Sequence, residues 1–215
     1  MSASDTEQRD DLQALIDNNR LWADQLEVSH PQLLERTAKQ QKPKLLWLGC
    51  ADSRVPPEQI LGLKPGDILV HRNIANQVRP DDTNAMSVIE FAVDVMGVEH
   101  IIVCGHEGCI GVATAIAEQP PAGQVGYWLE TLRAHWLGDR DRQSESADDW
   151  CERNARLQAL SVCRTDSIQR AWQGGRALQV HAWLYQLNSG HIRQLGSAGG
   201  LGEEHQLGAS VDPDE

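Results

Sequence analysis

The chain has 215 residues, 31 acidic against 19 basic side chains for a formal net charge of −12, and five cysteines. Its length suits one α/β domain with a full core, and its negative surface repels nucleic-acid backbones and anionic lipid headgroups, so neither is expected as a partner. There is no apolar run of about eighteen residues and the start, MSASDTEQRDD, is polar and acidic, which argues against a spanning segment or a targeting peptide. The odd cysteine count argues against a disulfide framework and for a reducing, cytoplasmic compartment.

Residues 8 to 40 carry Leu12, Leu15, Ile16, Leu33 and Leu34 at helical spacing and predict two helices broken near His30-Pro31. KLLWLGC (44 to 50) is a short apolar run of the kind buried on both faces of a sheet, and DILVHR (67 to 72), after Lys64-Pro65-Gly66, is a second. SVIEFAVDVMG (87 to 97) predicts a helix ending in glycine, HIIVCG (100 to 105) a third strand, and CIGVATAIAE a helix opening directly from it. From Gln119 to Asp149 the chain is rich in proline, glycine and charge around the amphipathic piece YWLETLRAHWL, with DRDRQSESADD read as an exposed loop. Residues 151 to 175 are again helical, and ALQVHAWLY and HIRQL flank Asn188-Ser189-Gly190, a hairpin signature. From Gly196 the tail turns glycine-rich and then acidic, and is expected to be mobile. Strands alternating with helices predict βαβ crossovers and a parallel sheet, hence an α/β fold.

Cys50, Asp52 and Arg54 stand at alternate positions in LWLGCADSRV, and GHEGC supplies His106 and Cys109. Both clusters lie at carboxyl ends of expected strands, where open α/β sheets gather ligands. Two thiolates, an imidazole and a carboxylate fit zinc. A period of two keeps Cys50 and Asp52 on one side. His106 and Cys109, three apart, are expected on one face of a helix start, whose partial positive charge would lower the Cys109 thiol. Arg54 could draw Asp52 off the metal and open a position to water, as catalysis requires. Alone, each cluster is a weak signal: a cysteine at a strand end is commonly a core residue, and Asp52 with Arg54 a surface ion pair. Their conjunction carries the reading. Cys104, Cys151 and Cys163 lack partners at metal spacing and are read as structural, and His30, His100, His135, His181, His191 and His205 are isolated.

CADSRV, VHRNIAN and GHEGC, in this order after strand-like runs, resemble the β-class carbonic anhydrases, with MSVIEFAVDVMGVEHIIVCGH and QVHAWLYQLNSG as further matching pieces. The resemblance implies a Rossmann-like sheet of four parallel strands plus an antiparallel edge strand, flanked by helices and preceded by a helical arm. It implies a single domain over residues 1–196 with a mobile acidic tail over 197–215, a homodimer or homotetramer, and reversible hydration of CO2 to bicarbonate and a proton. On it, Cys50, His106 and Cys109 hold one Zn2+ per subunit, and Asp52 and Arg54 form the catalytic dyad, with Asp52 switching between zinc and Arg54.

Trp47, Arg72 and Tyr185 match a second, regulatory bicarbonate pocket of a subset of that family; otherwise Trp47 is a core aromatic and Arg72 a loop cation. Gln41, Val78 and Phe91 are expected around a pocket shared between subunits. Two residues depart from the pattern. Ile110 stands where glycine usually follows the second cysteine, which would narrow access or change the turn, and Glu107 replaces the usual Tyr, Ser or Thr. Two alternatives follow: a hydrolase of CS2 or carbonyl sulfide at the same zinc, or a catalytically impaired zinc- or bicarbonate-binding homologue.

Overall fold

The computed structural model describes residues 3–119 and 121–208, with side chains from Leu12 onward. The chain divides into two units, Met1–Gln41 and Lys42–Glu215. In the first, α1 (Ala3–Ser29) and α2 (Leu33–Lys39) are separated at the expected break, where Gln32 takes a left-handed φ of 65°. Its backbone N–H donates to the Glu27 carboxylate at 3.1 Å, which steadies the turn.

In the second unit, the apolar runs become β1 (Leu45–Cys50), β2 (Ile68–Asn73), β3 (His100–His106), β4 (Gln179–Gln186) and β5 (His191–Ala198), in one sheet of order β2-β1-β3-β4-β5. The first four are mutually parallel and β5 pairs antiparallel with β4. β1 and β3 are interior and almost wholly buried, which explains their uninterrupted apolar sequence. β2 is only half-buried along its length because it is the sheet edge, so its likeness to β1 in sequence does not extend to its environment.

Side chains alternate across the sheet. Leu46, Leu48, Ile101, Val103, Val180 and Ala182 join one core cluster with Ile89 of α4 (Thr83–Glu90), Leu160 of α7 (Ala147–Cys163) and Ile168 of α8 (Asp166–Gln173). On the other face Trp47, Ile102 and Cys104 pack with Val55, Ile60, Trp183 and Tyr185. Ile60 belongs to α3 (Pro57–Leu61). A third cluster, Cys50, Cys109, Leu129, Leu132, Trp150 and Cys151, is assembled from the end of β1, α7 and the two helices after β3, α5 (Ile110–Ala115) and α6 (Gly123–Gly138). Each fully buried large aliphatic side chain contributes roughly 1.5–3 kcal/mol relative to exposure.

Three local expectations are corrected. The helix expected over 151–175 is two: α7 ends at Cys163 and α8 restarts at Asp166 after Thr165. α7 also begins earlier, inside the segment read as loop, because Ser146 and Asp149 form a reciprocal capping box. The third concerns the tail, where β5 runs on to Ala198, Leu207 is 0% exposed, and Arg156 donates to the carbonyls of Leu195 (2.8 Å) and Leu207 (2.6 Å). The chain is therefore packed well beyond Gly196; residues 209–215 of the expected tail lie outside the described residues.

Candidate metal centre

β1 and β3 are adjacent and parallel, so their carboxyl ends come together, with Cys50 the last residue of one and His106 of the other. His106 and Cys109 do not share a helix face as expected. His106 closes β3, Glu107 and Gly108 turn the chain, and Cys109 occupies the cap position of α5. Gly108 makes that turn with a φ of 62°, a left-handed conformation that favours glycine. Its N–H donates to Asp148 Oδ1 at 2.6 Å, while the Glu107 N–H donates to the Tyr185 carbonyl at 3.1 Å.

The Cys50 and Cys109 sulfurs are 3.8 Å apart, and with a His106 ring nitrogen the three donor atoms lie within 4.8 Å of one another. All three residues are buried. His106 Nδ1 lies 2.8 Å from the Glu107 carbonyl oxygen, which can only accept, so Nδ1 carries the proton and Nε2 keeps its lone pair. Nε2 is buried and has no hydrogen-bond partner among the described residues. A buried nitrogen lone pair beside two sulfurs, with its opposite nitrogen fixed by a carbonyl, is the arrangement of a metal ligand with its outer support. The residues therefore fit a metal ion.

The thiols do not follow the helix-terminus expectation. Hydrogen bonding with Cys109 and burial push the Cys50 thiol up to about 12. Hydrogen bonding with Cys151 does most to push Cys109 up to about 11. The six-residue α5 is outweighed by apolar surroundings and by neighbouring sulfur, and an ion must displace both protons to bind.

Asp52 is held by Arg54 through two side-chain bonds, Nε to Oδ1 at 2.9 Å and Nη2 to Oδ2 at 2.7 Å, and accepts the Arg54 backbone N–H at 2.9 Å. These bonds keep its carboxyl well below the usual carboxylate range. Asp52 Oδ2 lies 3.8 Å from His106 Nε2. Arg54 Nη2 also donates to the Gly108 carbonyl at 3.2 Å, tying the two ligand-bearing segments together.

Trp47 is buried in one apolar cluster with Tyr185, its Nε1 without a partner among the described residues, and its indole covers Gly49: a Cβ there would stand 2.1 Å from Nε1. Arg72 lies beside Gly49 in the strand register and donates to the carbonyls of Cys50, at 2.9 Å, and Asp52. Glu107 is half-buried and accepts from Gln186 Nε2 at 3.2 Å. Val78, expected in a shared pocket, is a core residue packed with Leu46 and Ile89, whereas Phe91 is exposed and Gln41 belongs to the first unit.

Beside the centre lies a cavity of about 280 Å3 lined by Cys50, Asp52 and Cys109 and by Ile74, Ile110, Thr114, Val125 and Leu129, among others. Ile110 joins this wall without strain, since its φ is not positive. Ile74, Val125, Leu129 and Asp148 escape sequence reasoning because only tertiary packing brings them here. For Ile74 a signal exists in VHRNIAN, since it is the first residue beyond β2 within that motif.

The carbonic anhydrase family model matches residues 45–192. A carbonic anhydrase of Emericella nidulans is 35% identical over 188 residues, covering 84% of this chain and 82% of that protein. One of Pseudomonas aeruginosa is 37% identical over 185 residues, covering 78% and 80%. Among solved structures, a β-carbonic anhydrase of Coccomyxa superposes with a TM-score of 0.86 at 32% identity, covering 92% of this chain and 94% of its own. A tetrameric β-carbonic anhydrase of Sordaria macrospora gives 0.83 at 31%, covering 88% and 100%.

Proposed function

We propose that this chain, which belongs to the β-carbonic anhydrase family, interconverts CO2 and bicarbonate at one zinc ion per subunit held by Cys50, His106 and Cys109. The observation that carries the reading is the buried, unpartnered Nε2 of His106 beside two sulfurs 3.8 Å apart. Two zinc–sulfur bonds of about 2.3 Å at a tetrahedral angle separate their sulfurs by about 3.8 Å, which supports zinc, and the soft donor set disfavours magnesium or calcium. When bound, zinc supplies Lewis acidity that makes water a nucleophile near neutral pH.

The remaining work falls to this chain's own groups. Arg54 holds both oxygens of the Asp52 carboxylate, so that Asp52 would not act as a further ligand to a bound ion while the pair lasts. From there Asp52 Oδ2 can accept a hydrogen bond from the nucleophilic water or hydroxide, which would keep an oxygen lone pair of that nucleophile aimed at the CO2 carbon. The mainly aliphatic cavity wall receives CO2 and limits competing water. Released from Arg54, the same carboxylate would take the fourth position and close the site.

Trp47, Arg72 and Tyr185 are proposed as a regulatory bicarbonate pocket, supported by the unpartnered Trp47 Nε1 and by Arg72's hold on the backbone of Cys50 and Asp52. Tyr185→Phe should relieve inhibition by bicarbonate; undiminished inhibition rules the pocket out. A homodimer or homotetramer is proposed from the tetrameric Sordaria relative. A cytoplasmic location is supported by five unpaired cysteines; separately, no helix among the described residues is long and apolar enough to cross a membrane.

The decisive experiment combines metal analysis with stopped-flow CO2 hydration. Stoichiometric zinc and rapid hydration are expected, with hydration strongly reduced in Asp52→Asn while zinc stays bound. Zinc without hydration would leave a binding protein, and faster turnover of CS2 than of CO2 would replace the substrate.

A further inference from the structure

The cavity beside the metal centre has a floor and a rim of different character. Its floor is buried: Cys50, Cys109 and Leu129 are at most 6% exposed. Its rim is aliphatic and, within the single protomer, exposed, with Ile110 73% exposed and Ile74 and Val125 each 41%. Ile110 directly follows Cys109 as the first residue of α5, so of the three it is the one adjacent in sequence to a metal-donor residue, and it is also the most exposed. Thr114 and Asp52 are the lining residues with side-chain oxygens, and Asp52 is already engaged by Arg54.

We propose that Ile110, together with Ile74 and Val125, is the specificity rim of this site, admitting molecules and ions of three or four heavy atoms, such as CO2, bicarbonate and thiocyanate, to the metal and resisting bulkier ligands such as aromatic sulfonamides. The inference rests on the carbonic anhydrase reading and deepens it. Two physical effects act at such a rim. Branched side chains narrow the approach, so a ring passing the rim meets Ile110 where such a small molecule does not. An aliphatic rim also offers no hydrogen bond to replace the water that a ligand with several polar groups must shed.

The rim is held in place by its surroundings. Trp128 Nε1 donates to the Ile74 carbonyl at 2.8 Å. The neighbouring position 111 must stay small, since a Cβ on Gly111 would come within 2.8 Å of Ile74 Cγ2. α6, which carries Val125 and Trp128, is anchored by the buried Arg79, whose guanidinium donates to the Tyr127 (2.9 Å) and Trp128 (3.2 Å) carbonyls and pairs with Asp81. Ile74 and Val125 thus have little freedom, whereas Ile110, exposed and on an ordinary backbone, can be changed without disturbing the core.

The test is calorimetric titration of zinc-loaded wild type, Ile110→Ala and Ile110→Gly with two probes, benzenesulfonamide and thiocyanate, beside zinc content and CO2 hydration. Benzenesulfonamide should bind at least about tenfold more tightly to Ile110→Gly, with Ile110→Ala between, while thiocyanate changes by less than about twofold. Ile110→Ala keeps helix propensity and guards against a folding defect in the glycine variant. Unchanged sulfonamide affinity in both variants, or a parallel shift of both probes, overturns the rim with the function intact if wild type carries zinc and hydrates CO2. A wild type that does neither removes the carbonic anhydrase reading and the rim with it.

Discussion

Cys50 and Cys109 meet an incoming ion as protonated thiols, one raised to about 12 and the other to about 11. Both must ionise on binding, so zinc uptake at pH 7 should release about two protons per ion, measurable by calorimetry in buffers of different ionisation enthalpy. Release of fewer than about one would mean that a thiol is not a ligand. Replacing His106 with Ala removes the orphaned Nε2 and should abolish stoichiometric zinc in purified protein. These three donors and the Asp52–Arg54 pair were legible in sequence because each lies in a short motif whose chemistry depends on few neighbours. Cys151 is the buried structural residue expected, but its contact with Cys109 was not legible, because it arises only when α7 packs beside α5. For the same reason the direction of the Cys109 shift could not be inferred, since burial and a third sulfur outweigh the helix terminus.

The segment after β2 shows how an element supports the centre without touching the ion. Ala75 and Asn76 adopt left-handed φ values of 61° and 45°, and Ala75 is fully buried in the cluster that holds Cys50 and Cys109. Such conformations cost roughly 1–3 kcal/mol each and persist when surroundings enforce them. Here Asn154 Nδ2 and Gln77 Nε2 both donate to the Ala75 carbonyl, at 2.8 and 2.9 Å, Asn154 Oδ1 accepts from Gln77 and Gln158, and Gln158 Oε1 accepts the Val78 N–H at 2.7 Å. Asn154→Ala strips partners from buried groups and should lower stability by about 2–3 kcal/mol in urea unfolding, with weakened zinc retention. A loss below about 0.5 kcal/mol would mean that the turn holds without the network. At the start of α7, Ser146→Ala should cost about 1 kcal/mol through loss of the capping box. That box was present in sequence as Ser146 and Asp149 within SESADD, but the surrounding charge led to a loop reading. The break at Arg164-Thr165 was hidden differently, because helix-compatible residues continue across it, and tertiary packing decides the division.

Across the whole molecule, two half-buried histidines and a paired carboxylate respond to acid in one sense, and His106 in the other, because burial, which lowers it, is outweighed by Cys50 and Asp52, which raise it. His135 and His181 are held below the ordinary histidine value, by burial first and then by Arg153 and His100 respectively. The unfolded chain therefore takes up protons near pH 6.5 that the folded chain refuses, and stability falls as pH drops through that value. Burial would raise Glu152, but Arg156 and Arg193 outweigh it and hold the carboxyl low. Its contribution is present above the unfolded carboxylate range and lost as pH falls below it. The urea midpoint of zinc-free protein should accordingly be lower at pH 5 than at pH 8, and an equal midpoint would refute the assignment. The α/β class, the interior strands and the hairpin were readable because their apolar runs are nearly uninterrupted and well punctuated. The packed C-terminal segment was not, because a glycine-rich stretch ending in the single anchor Leu207 looks like a tail until Arg156 is seen to clasp it. Adjacent β1 and β3 are separated along the chain by β2 and α4, so no short stretch of polypeptide can grip an ion before the central strands have paired. Zinc should then arrive after the rate-limiting step, leaving the refolding rate nearly unchanged while slowing unfolding, and so give the finished protein longevity rather than speed.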